Sequence, residues 1–271
     1  MTKNFTSIII LCYNQLAAAT KPCIESILRN TPEGSYELIL VDNASTDGTV
    51  KYLKSIAEKN SSIRLQLNSI NKGYAGGNND GIKMADGQFI ILLNNDTLVP
   101  TGWLSCLLKS FDRYPKVGLI GPVTNSAGNE QRIEIGGLNE GNFEDKIGGY
   151  LERQKDEVYF TEKLGFFCVA IRRSVIDKIG FLDESFGIGM FEDDDYCVRA
   201  KKNGFDIVIA EDSFVYHKGS LTFNKLDIKE YQELFSKNKE LFRKKHDYVW
   251  TLTNIALSYL EKISTDLRKY F

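Results

Sequence analysis

The stretch Phe89-Ile90-Ile91-Leu92-Leu93-Asn94-Asn95-Asp96 joins five apolar residues directly to three polar ones. An apolar run of this length and composition is typical of a strand that is buried on both faces of a parallel sheet. The three polar residues would then lie at the carboxyl edge of the sheet, where open α/β proteins bind their ligands. Because Asn and Asp also suit turns, simple turn chemistry is the alternative explanation.

Strand-like and helix-like segments alternate through residues 1–121. The alternation predicts an α/β fold, with a mostly parallel central sheet and helices on both faces. We expect strands over residues 7–12, 37–42, 63–67, 88–93 and 117–121, and helices over 17–29, 49–58, 76–84 and 102–114. Farther along, strands are expected over 165–171, 207–210 and 213–217, and helices over 173–179 and 192–202. Residues 124–156 have weak periodicity and predict long loops.

Composition excludes several classes of protein. The 271 residues carry 34 Lys and Arg against 36 Asp and Glu, a net charge of −2, so no basic excess predicts a nucleic-acid partner. No apolar run approaches the roughly 20 residues that a membrane span needs, and the first residues lack the pattern of a signal peptide. Five scattered cysteines without CxxC spacing predict reduced thiols in a cytoplasmic protein.

Polar residues follow four successive expected strands, not only the one that ends at Leu93. They are Tyr13-Asn14, Asp42-Asn43, residues 71–79 and residues 94–96. The carboxyl ends of parallel strands meet at one edge of a sheet, so these four groups are expected to share a site. Residues 71–79 contain three glycines before a helix, which permits close backbone approach to an anion, but they match neither GxGxxG nor a P-loop.

A second polar constellation is the run Glu192-Asp193-Asp194-Asp195 at the start of an expected helix. Acidic residues in a first helical turn complement the helix dipole, which is the alternative explanation for the run. Consecutive helical residues point about 100° apart, so at most one or two of the four can face one substrate. Arg199 is expected to form an ion pair with these carboxylates, and Trp103 to lie in the core.

The combination of Cys12-Tyr13-Asn14 with residues 41–48, 71–79 and 93–96 resembles the family 2 glycosyltransferases of the GT-A fold. Within that family, the chain is most similar to the rhamnosyltransferase-like branch. The resemblance covers roughly residues 5–220. It implies a nucleotide-sugar donor, dTDP-rhamnose or a UDP-sugar, bound across the carboxyl edge of the sheet.

The resemblance also implies the roles of individual donor-side residues. Asp42 would bind the base of the nucleotide, and Asp96 a divalent metal, Mn²⁺ or Mg²⁺, that bridges the diphosphate. Similar enzymes carry a metal-binding histidine where this chain has His217. Asn94 departs from the family's Asp-x-Asp pattern, and an Asn carbonyl oxygen supplies less charge to a metal. The remaining donor-side candidates are Tyr13, Asn14, Asn43, Gly73, Asn78, Asn94 and Asn95.

The acidic run is similar to the family's acidic motif, which places the general base at Asp193. Glu192 and Asp195 are the acceptor-side candidates, and Asp195 is the substitute base. The implied reaction is a single inverting displacement onto a hydroxyl of a glycan or lipid-linked acceptor of bacterial surface polysaccharide synthesis. The alternatives are a sugar nucleotidyltransferase, whose glycine-rich loop with Arg and Lys is missing after the first strand, and a non-catalytic nucleotide-sugar-binding subunit.

These patterns predict a catalytic domain over residues 1–222, with a nucleotide-binding half (1–121) and an acceptor-binding half (122–222). Residues 223–271 are expected to form a C-terminal helical extension that packs as a cap. Its apolar residues recur at helical spacing, and residues 237–245 are locally basic. Homodimerisation and peripheral contact with the inner face of the membrane are the alternatives for this extension.

Overall fold

The computed structural model describes residues 5–219 and 227–247. Eight of its strands form one sheet, and two short strands form a separate pair. The strands are β1 Thr6–Cys12, β2 Tyr36–Asp42, β3 Ile63–Leu67, β4 Phe89–Asn94, β5 Thr97–Leu98, β6 Val117–Val123, β7 Val158–Phe160, β8 Cys168–Arg172, β9 Asp206–Phe214 and β10 Tyr216–His217.

Helices connect most of the strands. A π turn over Leu16–Thr20 leads directly into the first α-helix, and a 3-10 turn over Glu184–Phe186 precedes a short loop and a helix. The α-helices are α1 Lys21–Asn30, α2 Thr49–Ala57, α3 Gly73–Met84, α4 Trp103–Arg113, α5 Phe143–Arg153, α6 Arg173–Ile179, α7 Glu192–Lys202 and α8 Ile228–His246. In the part of the chain that is described, no helix combines the length and apolar character needed to cross a bilayer.

The sheet is mostly parallel, as the sequence predicts, and its order is β3-β2-β1-β4-β8-β6-β9-β7. Strands β1, β2, β3 and β4 run parallel to one another. Strand β8 lies antiparallel between β4 and β6, and β7 forms an antiparallel edge. The fold class predicted from the sequence is therefore confirmed.

Helices cover both faces of the sheet because side chains along each strand alternate between two apolar layers. Ile8 and Ile10 pack into the layer that contains α1 and α4, and Ile9 into the layer that contains α3, α6 and α7. Trp103 is 1% exposed in the first of these layers, which confirms its expected place in the core.

Strand register aligns the polar strand ends at one edge. Cys12 pairs with Asp42 across β1 and β2, and Leu11 pairs with Asn94 across β1 and β4. Asp42 in turn pairs with Leu67 at the end of β3. The loops after β1, β2, β3 and β4 therefore leave the sheet side by side, which is the arrangement the sequence predicts.

Two expectations for the second half are wrong. Residues 143–153 form helix α5 inside the segment predicted as loops; only Phe143 and Ile147 of this helix are buried, and two glycines interrupt it, so its periodicity is too weak to recognise. Residues 206–214 form one continuous strand where two were expected, and the polar Ser213 inside it is buried and donates to the carbonyl of Trp103. The expected helix over 250–270 lies outside the described residues.

Candidate active site

Asp42 ends β2 with one carboxylate oxygen in use and the other available. Its Oδ2 accepts a hydrogen bond from the backbone N–H of Ser45 at 2.9 Å. Its Oδ1 is buried and has no hydrogen-bond partner among the described residues. Asp42 is only 1% exposed, so an unpaired acceptor here carries a desolvation cost. A ligand N–H group at this strand end would remove that cost.

Asn14 connects the loops after β1 and β2. It adopts a left-handed φ of 55°, and its side-chain oxygen accepts from the N–H of Thr46 at 2.7 Å. Its own N–H donates to the hydroxyl of Ser45 at 2.8 Å. Tyr13 beside it is 37% exposed, so its ring is accessible at the same edge as Asp42.

Asn43 is fully engaged in holding the loop that precedes α3. Its amide N–H groups donate to Asn71 Oδ1 at 2.7 Å and to the Gly73 carbonyl at 3.2 Å. Its oxygen accepts from the N–H of Lys72 at 3.1 Å and from Asn68 Nδ2 at 3.2 Å. Both donors and both lone pairs are used, so Asn43 shapes the donor-side loop from beneath.

Gly73 begins α3 where the chain meets another loop closely. Its φ is +72°, and a Cβ atom would lie 2.0 Å from the carbonyl oxygen of Gly187. Only glycine fits a left-handed position with that approach. Asn78, one turn later, is 2% exposed and donates to the carbonyl of Tyr74 at 3.0 Å, so it too supports the start of the helix.

Asn94 is the last residue of β4, and Asn95 lies in the turn that leads to Asp96. The N–H of Asn94 donates to the carbonyl of Phe167 at 2.8 Å, and its carbonyl accepts from the Thr97 hydroxyl at 2.7 Å. Asn95 donates its side-chain amide to the Thr20 hydroxyl at 2.9 Å, which fixes the turn against the start of α1. Both side chains are half-buried.

Asp96 and His217 face each other at the same edge. Asp96 Oδ1 lies 3.3 Å from His217 Nε2, and both atoms are buried without a hydrogen bond of ordinary geometry within the described ranges. Burial lowers the pKa of His217, but the Asp96 carboxylate and the Ser126 carbonyl outweigh it and raise that pKa above its ordinary value of 6.5.

The two-stranded ladder of β5 and β10 brings His217 to Asp96. His217 pairs with Thr97, and the N–H of Lys218 donates to the carbonyl of Asp96 at 2.9 Å. Asn125 clamps the backbone of His217 through both its amide nitrogen, at 3.0 Å, and its amide oxygen, at 2.9 Å. The sequence did not indicate Asn125, since nothing in the loop segment that contains it has a regular pattern.

The pair of Asp96 and His217 fits a divalent cation. His217 Nδ1 lies 2.9 Å from the carbonyl oxygen of Ser126, which can only accept, so Nδ1 holds the proton and Nε2 keeps its lone pair in the neutral ring. Phe167 stacks on the ring with centroids 5.1 Å apart. In the portion of the chain described, no group of three or more His, Cys, Asp and Glu could hold an ion. A cation here would thus need further oxygen ligands from a bound substrate or water.

Glu192 and Asp193 begin α7 close to Tyr74. Asp193 is half-buried, and its Oδ1 accepts from the N–H of Asp194 at 2.9 Å. Burial raises the pKa of Asp193 above its usual range. Burial also raises the pKa of Tyr74, and the charges of Glu192, Asp193 and Asp96 raise it further. Tyr74 is therefore within electrostatic range of Asp96 on the donor side and of Glu192 and Asp193 at the start of α7.

Asp195 cannot contact an acceptor, which corrects the expectation that it lies on the acceptor side. It is 0% exposed, and three side chains bind it: Arg199 at 2.7 Å, Lys245 at 2.5 Å and the imidazole of His246 at 2.7 Å. Two helical steps from Asp193 rotate it by about 200°, to the opposite face of α7. Its ion pair with Arg199 confirms the structural role expected for that arginine.

The Glu192→Gln substitution should stabilise the protein at high pH. Glu192 is 6% exposed, its Oε2 has no hydrogen-bond partner in the described chain, and burial, followed by the charge of Asp193, raises its pKa well above 4.5. The folded state then binds the proton more tightly than the unfolded state, so stability falls as pH rises from about 4.3 towards the folded pKa. We expect the substitution to add about 1 kcal/mol or more to the free energy of unfolding at about pH 8, and little at about pH 4.

Urea unfolding at both pH values measures this difference. Glu233→Gln is the matched control, because the Glu233 side chain is 69% exposed on α8. Equal free energies of unfolding for the Glu192→Gln variant and the wild type at high pH would show that the buried, ionised Glu192 does not destabilise the folded state.

The comparison with known families identifies the class of protein. The sequence profile of glycosyl transferase family 2 matches residues 7–180, which is more than half of the chain. The chain therefore belongs to glycosyl transferase family 2. The matched range contains Asp42 and Asp96, whereas Asp193 and His217 lie beyond its end.

Curated relatives are longer proteins. The chain is 30% identical over 140 residues to a dolichyl N-acetyl-α-D-glucosaminyl phosphate 3-β-D-2,3-diacetamido-2,3-dideoxy-β-D-glucuronosyltransferase of Methanococcus voltae, covering 49% of this chain and 43% of the relative. It is 30% identical over 115 residues to poly-β-1,6-N-acetyl-D-glucosamine synthase of Staphylococcus aureus, covering 41% of this chain and 26% of the relative. The chain thus spans less than half the length of these relatives.

Solved structures share the fold at low sequence identity. The mannosyltransferase PcManGT of Pyrobaculum calidifontis, in complex with GDP-mannose and Mn²⁺, aligns with a TM-score of 0.64 and 17% identity over 95% of this chain and 70% of its own. GalNAc-T7 with UDP, GalNAc and Mn²⁺ aligns with the same TM-score and identity over 98% of this chain and 58% of its own. These likenesses establish the GT-A fold.

Proposed function

We propose that the chain is an inverting glycosyltransferase that moves a sugar from a nucleotide-diphosphate sugar to a hydroxyl of a glycan or lipid-linked acceptor. The observation that carries the proposal is a shared neighbourhood: Asp42 and Asp96 lie at the carboxyl ends of β2 and β4, and the charges of both Asp96 and Asp193 act on Tyr74. Relatives that act on sugars and family membership support the same reaction class.

The proposed donor is linked to uridine or thymidine diphosphate. Asp42 Oδ1 is an unpaired acceptor, and N3–H of uracil or thymine is a donor on the pairing edge of the base. Guanine offers N1–H and is the second nucleotide to test. The sugar of dTDP-rhamnose rests on the resemblance to the rhamnosyltransferase-like branch alone.

Asp96 and His217 are proposed to hold Mn²⁺ or Mg²⁺ at the diphosphate. When bound, the cation offsets the charge that develops on the leaving diphosphate. Hard oxygen and imidazole ligands suit these ions, and Asn94 can add a carbonyl oxygen where the family pattern has a carboxylate. The ammonium group of Lys218 is already paired: it donates to the Glu140 carboxylate at 2.6 Å and to the Ala18 carbonyl at 2.8 Å.

Asp193 is proposed as the general base. A carboxylate whose pKa is raised by burial takes a proton from an acceptor hydroxyl more readily than an exposed one. The acceptor oxygen then bonds to the anomeric carbon while the bond from that carbon to the diphosphate oxygen breaks, which inverts the configuration. Glu192 lies beside Asp193 and is the second residue proposed to contact the acceptor.

A nucleotide-sugar screen tests the proposal. Purified protein is incubated with UDP-, dTDP- and GDP-sugars, with Mn²⁺ or with EDTA, and both thermal stabilisation and release of the nucleoside diphosphate are measured. We expect one nucleotide class to stabilise the protein in the presence of Mn²⁺ and its sugar to be released slowly to water. If no nucleotide sugar is bound or cleaved under any of these conditions, the transferase proposal is wrong.

The Asp42→Asn substitution should weaken nucleoside diphosphate binding by about 10-fold to 100-fold, since a hydrogen bond to a charged group is worth about 1.5–3 kcal/mol. An Asn side chain that keeps the bond from Ser45 N–H turns its own NH₂ towards the base, where an acceptor is needed. Isothermal titration calorimetry measures the affinity. The Asp177→Asn variant serves as the control, because Asp177 is exposed. Equal affinity of the two variants for the nucleoside diphosphate would show that Asp42 does not bind the nucleobase.

A further inference from the structure

Helix α8 contacts the loop that leads into the proposed base. We name residues 186–191, from the last residue of the 3-10 turn to the N-cap of α7, the pre-base loop. Asn238 of α8 is 0% exposed, and its Nδ2 lies 2.8 Å from the Phe186 carbonyl, 2.8 Å from the Gly189 carbonyl and 3.2 Å from the Met190 carbonyl. Carbonyl oxygens only accept, so the amide nitrogen must face them. One side chain thus fixes three backbone carbonyls of a six-residue loop.

The pre-base loop has a backbone that needs such support. Met190 and Phe191 both have left-handed φ values, 76° and 75°, without being glycine. A left-handed conformation is unfavourable for a residue with a Cβ atom and persists only where its surroundings hold it. Phe191 is also the N-cap of α7, so its conformation sets the direction of the turn that carries Asp193.

Apolar packing adds to the hydrogen bonds at this contact. Phe186, Phe191 and Phe242 form a small core cluster of their own, in which all three are buried. The rings of Phe191 and Phe242 lie with centroids 5.8 Å apart. Farther along α8, Lys245 binds both Asp183 and Asp195 at 2.5 Å, so α8 is attached before and after the pre-base loop.

The other side of the pre-base loop contacts the donor-side helix. The N–H of Tyr74 donates to the carbonyl of Ile188 at 2.9 Å, and Gly73 approaches Gly187 too closely for any side chain. The loop is therefore held between α3, which begins at the donor-side loop, and Asn238 of α8. Its position determines the distance between the donor side and the start of α7.

We propose that Asn238 is a positioning residue for sugar transfer: it holds the pre-base loop so that Asp193 stands at a fixed place relative to the donor-side start of α3. This inference rests on the proposed function, in which Asp193 is the base. Displacement of a catalytic group by about 1 Å can cost about 100-fold in rate. The role is thus kinetic as well as structural, although Asn238 touches no substrate.

The test combines Asn238→Leu, which keeps the size of the side chain and removes its donors, with Asn238→Ser, which keeps one hydroxyl donor. Ser236→Ala is the matched control, because Ser236 is exposed on the same helix. Hydrogen exchange followed by mass spectrometry reports on peptides that cover residues 186–196 and, for comparison, β1 and β4. With the donor found in the screen and a hydroxyl acceptor or water, kcat and the KM of the donor are measured in parallel.

For Asn238→Leu we expect exchange in residues 186–196 to quicken at least about 10-fold while β1 and β4 stay protected, and kcat to fall about 10-fold to 100-fold with the donor KM within about 2-fold of wild type. Asn238→Ser should lie between Asn238→Leu and wild type, and it remains informative if the leucine variant does not fold. Unchanged local exchange, unchanged kcat despite faster exchange, or loss of protection throughout the sheet would each overturn the proposal. A wild-type protein that cleaves no nucleotide sugar would overturn the transferase function itself, and the exchange data would still decide whether Asn238 anchors the loop.

Discussion

The Asp193→Asn variant should bind the donor as the wild type does and transfer its sugar about 10³-fold more slowly, the scale at which a positioned general base contributes. Asn keeps the oxygen that accepts from the N–H of Asp194, so the start of α7 is preserved. What it removes is the capacity to take a proton. The measurement is a pair: kcat for transfer or hydrolysis, and the dissociation constant of the nucleoside diphosphate by calorimetry.

Asp194→Asn is the matched control for this variant. It makes the same change one residue later, on a side of α7 rotated by about 100°, and should leave kcat within a few-fold of wild type. Full transfer by Asp193→Asn, or an equal loss in the Asp194→Asn control, would mean that the base lies elsewhere.

The Asp96→Asn variant should lose the metal dependence of donor binding. In the presence of Mn²⁺ we expect the affinity for the nucleoside diphosphate to fall at least about 100-fold, because even groups that only support a metal ligand are worth about 10-fold to 100-fold. In EDTA the variant and the wild type should bind equally weakly. Calorimetric titrations in both buffers give the four dissociation constants that are required.

The exposed Asp86 provides the control, since Asp86→Asn removes a carboxylate 69% exposed at the opposite end of β4. Retention of full Mn²⁺-dependent affinity by Asp96→Asn would discard Asp96 as a metal ligand. The same titrations on His217→Ala separate the two ligands, since that variant keeps the carboxylate.

The edge of the sheet that carries the candidate site could be predicted from the sequence, because parallel strands end together and their polar ends are visible as short motifs. Asp42 and Asn94 are the last residues of β2 and β4, which flank β1 and pair with it in register. The roles of Asn43 and Asn78 could not be read in the same way. Their motif predicts contact with a ligand, whereas their side-chain NH₂ groups donate to Asn71 Oδ1 and to the carbonyls of Gly73 and Tyr74.

The approach of His217 to Asp96 was beyond sequence patterns. It depends on two strands of only two residues each, β5 and β10, which have no periodicity, and on Asn125 in a segment that looked irregular. Family resemblance, and no local pattern, indicated His217. The orientation of its ring is set by the Ser126 carbonyl, which only a three-dimensional structure reveals.

The acidic run illustrates how helical geometry sorts residues that look alike in sequence. Four consecutive carboxylates gave one clear limit, that only one or two can face a substrate. In the structure Asp195 binds Arg199 of α7 and Lys245 and His246 of α8, and the last two lie about 50 residues away in the chain. Such long-range pairs leave no local signal in the sequence. The contacts of Asp195 and Asn238 could therefore be recognised only in the folded structure.

The most direct test of the central claim is a crystal structure of the protein with Mn²⁺ and the nucleoside diphosphate that the screen selects, with an anomalous difference map for manganese. We expect one manganese peak within about 2.5 Å of both Asp96 Oδ1 and His217 Nε2, the diphosphate on the open side of the ion, and the nucleobase against Asp42. A nucleotide bound elsewhere, or a manganese peak away from this pair of residues, would contradict the proposed donor site.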